Sequence, residues 1–187
     1  MIVRAPLLHR LDARDRALFV RWVLDELAPA RTARGWRVLT HTGGFRASIA
    51  AVLVPYFLGA PVLSGAAFTA GLALLLSHLV VQLVKRRVLR ARPGLRVDTA
   101  VYVHTPDQFS FPSGHSCAVM SVAFAYAAAF PALAVPLVSV STLVGFSRVR
   151  LGVHYPGDVV AGQAIAMLTV LGLLRFEIST MAKPPCQ

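Results

Sequence analysis

The fold is decided by residues 112–158, which read PSGHSCAVMSVAFAYAAAFPALAVPLVSVSTLVGFSRVRLGVHYPGD. The middle of this stretch, residues 116–147, carries no charged side chain and is too long for a single membrane-spanning helix. Two prolines near its centre interrupt it, so we predict a hairpin of two helices near residues 114–130 and 133–149. Polar motifs stand at both ends of this hairpin.

The composition of the whole chain is that of a membrane protein. Of its 187 residues 56% are hydrophobic and only 14% are charged, and the mean hydropathy is +0.65. A soluble domain carries about 25% charged residues. The length fits one domain, which we place over residues 1–187. The net charge of +11 could indicate nucleic acid binding, but such proteins rarely contain uncharged runs like residues 47–84. We therefore expect a membrane surface and an anionic substrate, and no nucleic acid, as partners.

The remaining apolar runs predict an all-α, integral membrane helix bundle over residues 47–176. A first span is expected at residues 47–63 and a second at residues 65–84. The second span has about the 20 apolar residues that cross a hydrocarbon core of about 30 Å. Together with the hairpin and a last span at residues 157–174, the bundle has about five transmembrane helices. A polar tail follows at residues 177–187.

Residues 1–46 form an Arg-rich segment with nine arginines. Within it, residues 7–34 predict one amphipathic helix, whose apolar stripe includes Phe19 and Trp22. A basic helix with a tryptophan is typical of the membrane interface, and packing against the bundle is an equal alternative. The segment does not resemble a cleaved signal peptide, because its only apolar run is short and arginines interrupt the residues after it.

The cysteines, Cys117 and Cys186, predict no disulfide framework. Metal binding by cysteine is not indicated either, because no CxxC or Cys/His ligand spacing is present. We expect Cys117 to face neighbouring helices as a small apolar residue. His78 lies inside the second predicted span, where an interhelical hydrogen bond is expected.

The first polar motif, Lys85-x6-Arg92-Pro93, follows the second span. A spacing of seven residues is about two helical turns, so a helix ending at Pro93 would place both cations on one face. Arginine offers a planar fork to phosphate oxygens, and lysine offers a point charge. The alternative is a positively charged flank of a membrane helix, which is how we interpret the other arginines of residues 86–90.

The second motif, Pro112-Ser113-Gly114-His115, stands where a helix begins. Backbone N–H groups at a helix N-terminus form an anion site. Ser113 can cap the helix or donate to phosphate, and Gly114 lets the backbone approach a ligand. His115 could protonate a leaving oxygen. Taken alone, a Ser-Gly pair before a helix more often serves capping.

The third motif, Ser147-Arg148-x5-His154-x3-Asp158, is the most informative. His154 and Asp158 are four residues apart and would face each other across one helical turn. A carboxylate bonded to one imidazole nitrogen fixes the tautomer and leaves the other nitrogen free as a nucleophile. Arg148 adds a second phosphate-binding fork. Because polar groups at the edge of an apolar helix are costly, a functional role is the default expectation.

The order of the spans brings the three motifs together. The first motif follows the second span, the second opens the third span, and the third lies between the fourth and fifth. Counting membrane crossings therefore puts all three on the same membrane face. This arrangement predicts one site at one mouth of the bundle.

These residues resemble the type 2 phosphatidic acid phosphatase superfamily, or PAP2, whose signatures are KxxxxxxRP, PSGH and SRxxxxxHxxxD. No signature position departs from the pattern. The resemblance implies metal-independent phosphoester hydrolysis without a cofactor. It also implies that His154 attacks phosphorus and forms a phosphohistidine, that Asp158 orients His154, and that His115 protonates the leaving group and then activates water. The implied ligands of the phosphate oxygens are Lys85, Arg92, Ser113, Gly114 and Arg148.

The resemblance implies a lipid phosphatase of a bacterial inner membrane. Its substrate would be of the phosphatidate, phosphatidylglycerophosphate or polyprenyl phosphate type. The alternatives are a phosphatase for a soluble ester and a non-catalytic phospholipid-binding protein. Vanadium-dependent haloperoxidases share the anion pocket, but they are large and soluble. The N-terminal arginines lie on the face of the motifs, so the positive-inside rule predicts a cytoplasmic site, although many family members work on the outer face. The oligomeric state is not indicated.

Overall fold

The computed structural model describes residues 6–97, 99–105 and 107–181, and within these ranges the chain forms seven α-helices and no strand. The helices are α1 Pro6–Trp22, α2 Ala30–His41, α3 Phe45–Leu58, α4 Pro61–Val88, α5 Gly114–Ala129, α6 Ala134–Arg150 and α7 Pro156–Met181. The predicted all-α fold is therefore confirmed.

Helix α5 lies at the centre of the bundle and packs against α4, α6 and α7. Its buried positions are mostly small residues, and Ala125 packs against Ala70 and Ala73 of α4 and Val170 of α7. Small side chains let membrane helices approach closely. Cys117 is buried in the same helix among apolar neighbours, as predicted. The packing fixes the beginning of α5, where the second motif stands, against the elements that carry the other two motifs.

Three helical segments are long and apolar enough to cross a membrane among the residues described: Pro61–Val88, Pro131–Arg150 and Pro156–Ser179. Helices α3 and α5 are also apolar, but they have only 14 and 16 residues. Large apolar side chains such as Phe57, Leu83 and Leu168 are exposed on the bundle, which suits a surface in contact with lipid. The number of five spans remains a prediction.

The prediction of one helix over residues 7–34 is wrong, because α1 ends at Trp22 and α2 begins at Ala30. Pro29 precedes α2 and disfavours helical geometry at the residue before it. Phe19 is fully buried and Leu24 is 3% exposed, so α1 and the turn after it pack on the bundle. Contact of this segment with a membrane interface remains a prediction.

Several boundaries of the predicted spans also change. Residues 61–63, which we placed in the first span, belong to α4, and Pro61 opens that helix, because proline is favoured in the first helical turn. Helix α7 continues to Met181, so the first part of the predicted tail is helical. The rest of that tail, with Cys186, lies outside the described residues. His78 Nε2 lies 3.0 Å from Nε2 of Gln82 in the same helix, which replaces the interhelical bond that we expected.

Candidate active site

Ser113 connects the second motif to the third. Its hydroxyl oxygen accepts a hydrogen bond from the backbone N–H of Ser116 and caps α5. Its own backbone N–H donates to the carbonyl oxygen of Asp158 at 2.9 Å. A Cβ on Gly162 of α7 would collide with the Ser113 carbonyl, so glycine is needed there for the close approach. The beginning of α5 is thereby fastened to the beginning of α7.

The loop between α6 and α7 carries His154. The backbone N–H groups of Val153 and His154 both donate to the carbonyl oxygen of Arg148, at 3.1 and 3.3 Å. Gly152 has a φ of +78°, a conformation that side chains disfavour, and a Cβ there would also collide with the carbonyl of Ala100. The result is a tight loop that buries His154 to 2% exposure.

His154 and Asp158 face each other, as predicted, but without a direct hydrogen bond. His154 Nδ1 lies 3.6 Å from Asp158 Oδ2, which is too long for one. Asp158 Oδ2 instead accepts from the backbone N–H of Tyr155 at 2.8 Å. Hydrogen bonds of this kind often tighten only when substrate binds. The carboxylate is therefore in place to act on the imidazole after a small movement.

The other nitrogen of His154 faces a cation. Arg92 Nη1 lies 3.1 Å from His154 Nε2 and donates to the carbonyl oxygen of Val153 at 3.0 Å. Because a guanidinium can only donate, Nε2 must be the acceptor, and the proton of the neutral ring lies on Nδ1, facing Asp158. Burial, together with the charges of Arg92, Arg148 and Lys85, holds the pKa of His154 well below its ordinary value. The ring is therefore neutral at physiological pH, as a nucleophile must be.

Lys85 and Arg92 meet at a carboxylate. Lys85 Nζ donates to Asp107 Oδ2 at 2.9 Å, and Arg92 Nη2 donates to Asp107 Oδ1 at 2.9 Å. Burial alone would raise the pKa of Asp107, but the hydrogen bonds and charges of Lys85 and Arg92 hold it below its ordinary value. Asp107 thus pairs with Lys85 and Arg92, the two cations that we predicted to hold phosphate oxygens. No motif in the sequence had pointed to Asp107.

The prediction that Lys85 and Arg92 share one helix face is wrong. Helix α4 ends at Val88, and Leu89 takes a left-handed conformation with a φ of 50°. The chain then runs beside residues 109–110, where the backbone N–H of Ser110 donates to the carbonyl of Arg90 at 2.8 Å. This pairing, and not helical spacing, brings Arg92 back towards Lys85.

Arg148 and His115 complete the cluster. Arg148 is 3% exposed, and its Nη1 donates to Thr40 Oγ1 of α2 at 2.8 Å. The positive charges of Arg148 and Arg92 act on the half-buried His115. A Cβ on Gly44 would lie 3.9 Å from His115 Nε2, so the turn between α2 and α3 forms one wall of the site.

The structure thus brings together the predicted residues of all three motifs, with one exception. A Cβ on Gly114 would point towards His78 and Val81 of α4, and no described contact joins Gly114 to the cations of the site. Contact of Gly114 and Ser113 with phosphate remains a prediction.

Arg90 is the main residue that the sequence interpretation missed. Its Nη1 lies 2.6 Å from Asp158 Oδ1 and 2.7 Å from Asp15 Oδ2, and its Nη2 lies 2.8 Å from Asp12 Oδ1. Its guanidinium also stacks on the ring of Tyr155 at 4.0 Å. Interpreting Arg90 as a flanking charge was therefore wrong. Asp12 and Asp15, two of the four acidic residues in the arginine-rich segment, were the signal that could have indicated a buried basic partner.

Comparison with known proteins supports the motif assignment. The sequence model of the PAP2 superfamily matches residues 66–179, more than half of the chain. Decaprenylphosphoryl-5-phosphoribose phosphatase of Mycolicibacterium smegmatis is 37% identical over 132 residues, which cover 68% of this chain and 69% of that protein. Lipid A 1-phosphatase of Rhizobium etli is 40% identical over 93 residues, which cover 47% of this chain and 40% of that protein.

Two solved structures share the fold. A transmembrane PAP2-type phosphatidylglycerolphosphate phosphatase from Bacillus subtilis aligns with a TM-score of 0.71 at 23% identity, covering 91% of this chain and 87% of its own. Aquifex aeolicus LpxE aligns with a TM-score of 0.74 at 19% identity, covering 85% of this chain and 93% of its own. At these identities the likeness concerns the fold alone.

Asp107→Asn should strengthen inhibition by inorganic phosphate. The substitution removes the carboxylate that competes for Lys85 and Arg92. We expect the inhibition constant to fall about tenfold, because a charge-assisted hydrogen bond contributes about 1.5 kcal/mol or more. The measurement is phosphate inhibition of lipid phosphate hydrolysis in detergent, with Glu26→Gln, an exposed acidic residue, as the control. An unchanged inhibition constant would show that Asp107 does not compete with phosphate.

Proposed function

The chain belongs to the PAP2 superfamily, a family of phosphoric ester hydrolases, and we propose that it removes phosphate from a phosphomonoester or pyrophosphate of a membrane lipid. One observation carries the proposal. His154 is buried and neutral, with Nε2 against the Arg92 guanidinium and Nδ1 facing Asp158. A phosphate drawn to Arg92 would therefore lie against the nitrogen that carries a lone pair.

The reaction follows from this arrangement. The lone pair of His154 Nε2 attacks phosphorus, and a P–N bond forms as the bond from phosphorus to the leaving oxygen breaks. The bound phosphate offsets the positive charges of Arg92 and Arg148 beside His115, so His115 carries a proton in the complex and gives it to that oxygen. The phosphorylated imidazole keeps its proton on Nδ1 and is cationic, and the carboxylate of Asp158 stabilises that charge. Arginine forks and the lysine point charge on the equatorial oxygens supply the electrostatic stabilisation that phosphoryl transfer needs.

A second step regenerates the enzyme. Water attacks the phosphohistidine from the side that the leaving group has vacated. His115, now neutral, takes a proton from this water, and the P–N bond breaks to release inorganic phosphate. His154 returns to its neutral form with the proton on Nδ1, and His115 is again protonated. The cycle uses only side chains of this chain and one water molecule.

An apolar groove supports a lipid as the substrate. It lies between α3, α5 and α6, has a volume of about 390 Å³, and extends from Thr42 to Leu133 and Pro136. Thr42 belongs to the turn that carries Gly44, which lies beside His115. The groove therefore begins where the leaving group departs and continues between the helices. Such concave, mostly apolar sites suit hydrocarbon groups, and the chain of a lipid alcohol would fill it.

The relatives point to several headgroups. Their names include decaprenylphosphoryl-5-phosphoribose, lipid A, undecaprenyl-diphosphate and phosphatidylglycerophosphate as the compounds acted on. We propose that the substrate is one lipid phosphate of this group. The shared motifs hold the phosphate, and the groove and the loops around the site select the remainder of the lipid.

We also propose an inner-membrane location with the site on the cytoplasmic face. The arginine-rich helices α1 and α2 pack beside the loops of the site, where Arg150 Nη1 donates to the carbonyl of Trp22 at 2.8 Å. Loops rich in arginine are retained on the cytoplasmic side. The two loops at the opposite end, residues 59–64 and 129–136, carry no charged residue, and α7 brings Arg175 and Glu177 to that end.

Phosphate release should depend on His154 and not on a metal. Wild type is assayed in detergent with EDTA against a soluble phosphate ester and a panel of lipids: phosphatidate, phosphatidylglycerophosphate, undecaprenyl diphosphate, decaprenylphosphoryl-5-phosphoribose and lipid A. We expect hydrolysis of at least one lipid, inhibition by vanadate, and a loss of at least about 1,000-fold in His154→Ala. His104→Ala, at an exposed histidine, is the control.

Four outcomes would count against the proposal. Full dependence on added Mg²⁺ would contradict the mechanism. Release that survives His154→Ala would remove the nucleophile. Hydrolysis of soluble esters only would move the substrate class away from lipids, and no hydrolysis at all would favour a non-catalytic phospholipid-binding protein.

Cysteine labelling tests the proposed membrane side. Cysteine is placed at Arg14 on α1 or at Ala132 between α5 and α6, both exposed positions, in a Cys186→Ala background. A membrane-impermeant maleimide should label the cysteine at residue 132 in intact spheroplasts and the one at residue 14 only after lysis. The reverse pattern would place the active site on the outer face.

A further inference from the structure

Arg90 joins three segments of the chain that are distant in sequence. It follows α4, its acidic partners Asp12 and Asp15 lie on α1, and Asp158 lies in the first turn of α7. The contacts are short, between 2.6 and 2.8 Å. One guanidinium thus contacts the carboxylate that faces His154 and, on its other side, the N-terminal helix.

Asp158 depends on this contact because it is fully buried. A buried carboxylate is costly unless it is paired and hydrogen-bonded. Its Oδ1 receives Arg90 and its Oδ2 receives the backbone N–H of Tyr155. These two hydrogen bonds fix the plane of the carboxylate with Oδ2 towards His154 Nδ1. Loss of the Arg90 contact would free the carboxylate to rotate.

The α1 carboxylates hold Arg90 and the beginning of α7 at the same time. Asp15 Oδ2 contacts Arg90, while Asp15 Oδ1 accepts a hydrogen bond from the backbone N–H of Gly157 at 2.7 Å. Gly157 immediately precedes Asp158. Phe19, also on α1, packs edge-on against Tyr155 with ring centroids 5.4 Å apart. Helix α1 therefore braces both partners of the Arg90–Asp158 pair.

We propose that Arg90, held by Asp12 and Asp15, is a positioning residue that orients Asp158 and, through it, His154. Helix α1 then contributes to the active site through these two carboxylates. The kinetic test of this inference rests on the proposed function, because it measures hydrolysis of a lipid phosphate. It differs from the family motifs, because Arg90 lies at an unspecified position of the first motif and both α1 carboxylates lie outside all three.

A planar fork suits this role better than a point charge. One Nη serves Asp158 and Asp15 while the other serves Asp12, an arrangement that a lysine ammonium cannot reproduce in the same geometry. Arg90→Lys should therefore recover only part of the activity that Arg90→Gln loses. Arg87→Gln, at an exposed arginine one turn earlier, is the matched control for loss of positive charge.

The first test separates turnover from binding. The probe is the lipid phosphate of the panel that the wild type hydrolyses fastest. Arg90→Gln should lower kcat about tenfold to 100-fold, the range found for groups that orient an active-site ligand, with KM changed by less than about twofold. A double variant, Asp12→Asn with Asp15→Asn, should lower kcat in the same way, whereas Asp25→Asn should not. Wild-type kcat in Arg90→Gln would overturn the proposal.

The second test asks whether Arg90 acts through Asp158. If it does, adding Arg90→Gln to Asp158→Asn should cost no further turnover, because coupled residues are non-additive. Multiplicative losses in the double variant would overturn the proposal and leave Arg90 a merely structural role. If Arg90→Gln fails to fold, as judged by gel filtration and melting in detergent, the same cycle is run with Arg90→Lys.

A substrate-independent measurement keeps this proposal separate from the proposed function. Orthovanadate binding is followed by vanadium NMR in the wild type, Arg90→Gln and Arg87→Gln. We expect weaker binding by about tenfold in Arg90→Gln alone. If the vanadate affinities differ in this way but the wild type hydrolyses no lipid, the proposed substrate class is contradicted and the positioning role is supported. If the wild type hydrolyses a lipid but the three proteins have equal vanadate affinities and equal kcat, the proposed substrate class is supported and the positioning role is contradicted.

Discussion

Buried charged groups are costly at the mouth of an apolar helix bundle, and three ion-paired cations arrange most of the active site. Lys85 and Arg92 converge on Asp107, and Arg90 on Asp158. Each pairing draws a loop into position, because an unpaired buried charge would cost several kcal/mol. The loop after α4, the segment before α5 and the loop before α7 are held together in this way. His154, the nucleophile of the proposed mechanism, lies at their meeting point.

The same pairs explain how a site rich in cations can be stable without substrate. Asp107 pairs with both cations of the first motif and offsets part of their charge, and it is the partner that phosphate would have to replace. Arg90 serves a different purpose, since its three carboxylate partners leave it no part in holding phosphate. On the two proposals, Arg92 serves phosphate binding and Arg90 serves positioning, whereas Arg86 and Arg87 are exposed.

The helical bundle and the convergence of the motifs were predictable from the sequence, because apolar runs and signature spacings depend on local pattern. The predictions failed where tertiary contacts decide. Lys85 and Arg92 meet through a left-handed residue and a backbone pairing with residues 109–110, not along a helix. The N-terminal segment breaks before Pro29 and docks on the site. The roles of Asp107 and Arg90 could not be assigned from the sequence, because their ion-pair partners lie far away in the chain. A hydropathy pattern does not indicate which distant residues pair.

Covalent phosphorylation of His154 through Nε2 is the step on which the proposed mechanism depends. The most direct measurement mixes enzyme with lipid phosphate, stops the reaction in alkali, where phosphohistidine survives, and locates the phosphate by mass spectrometry of the peptides. We expect phosphate on His154, none in His154→Ala, and less in Asp158→Asn. Phosphate found on His115, or turnover with no phosphorylated peptide at any time, would contradict the mechanism.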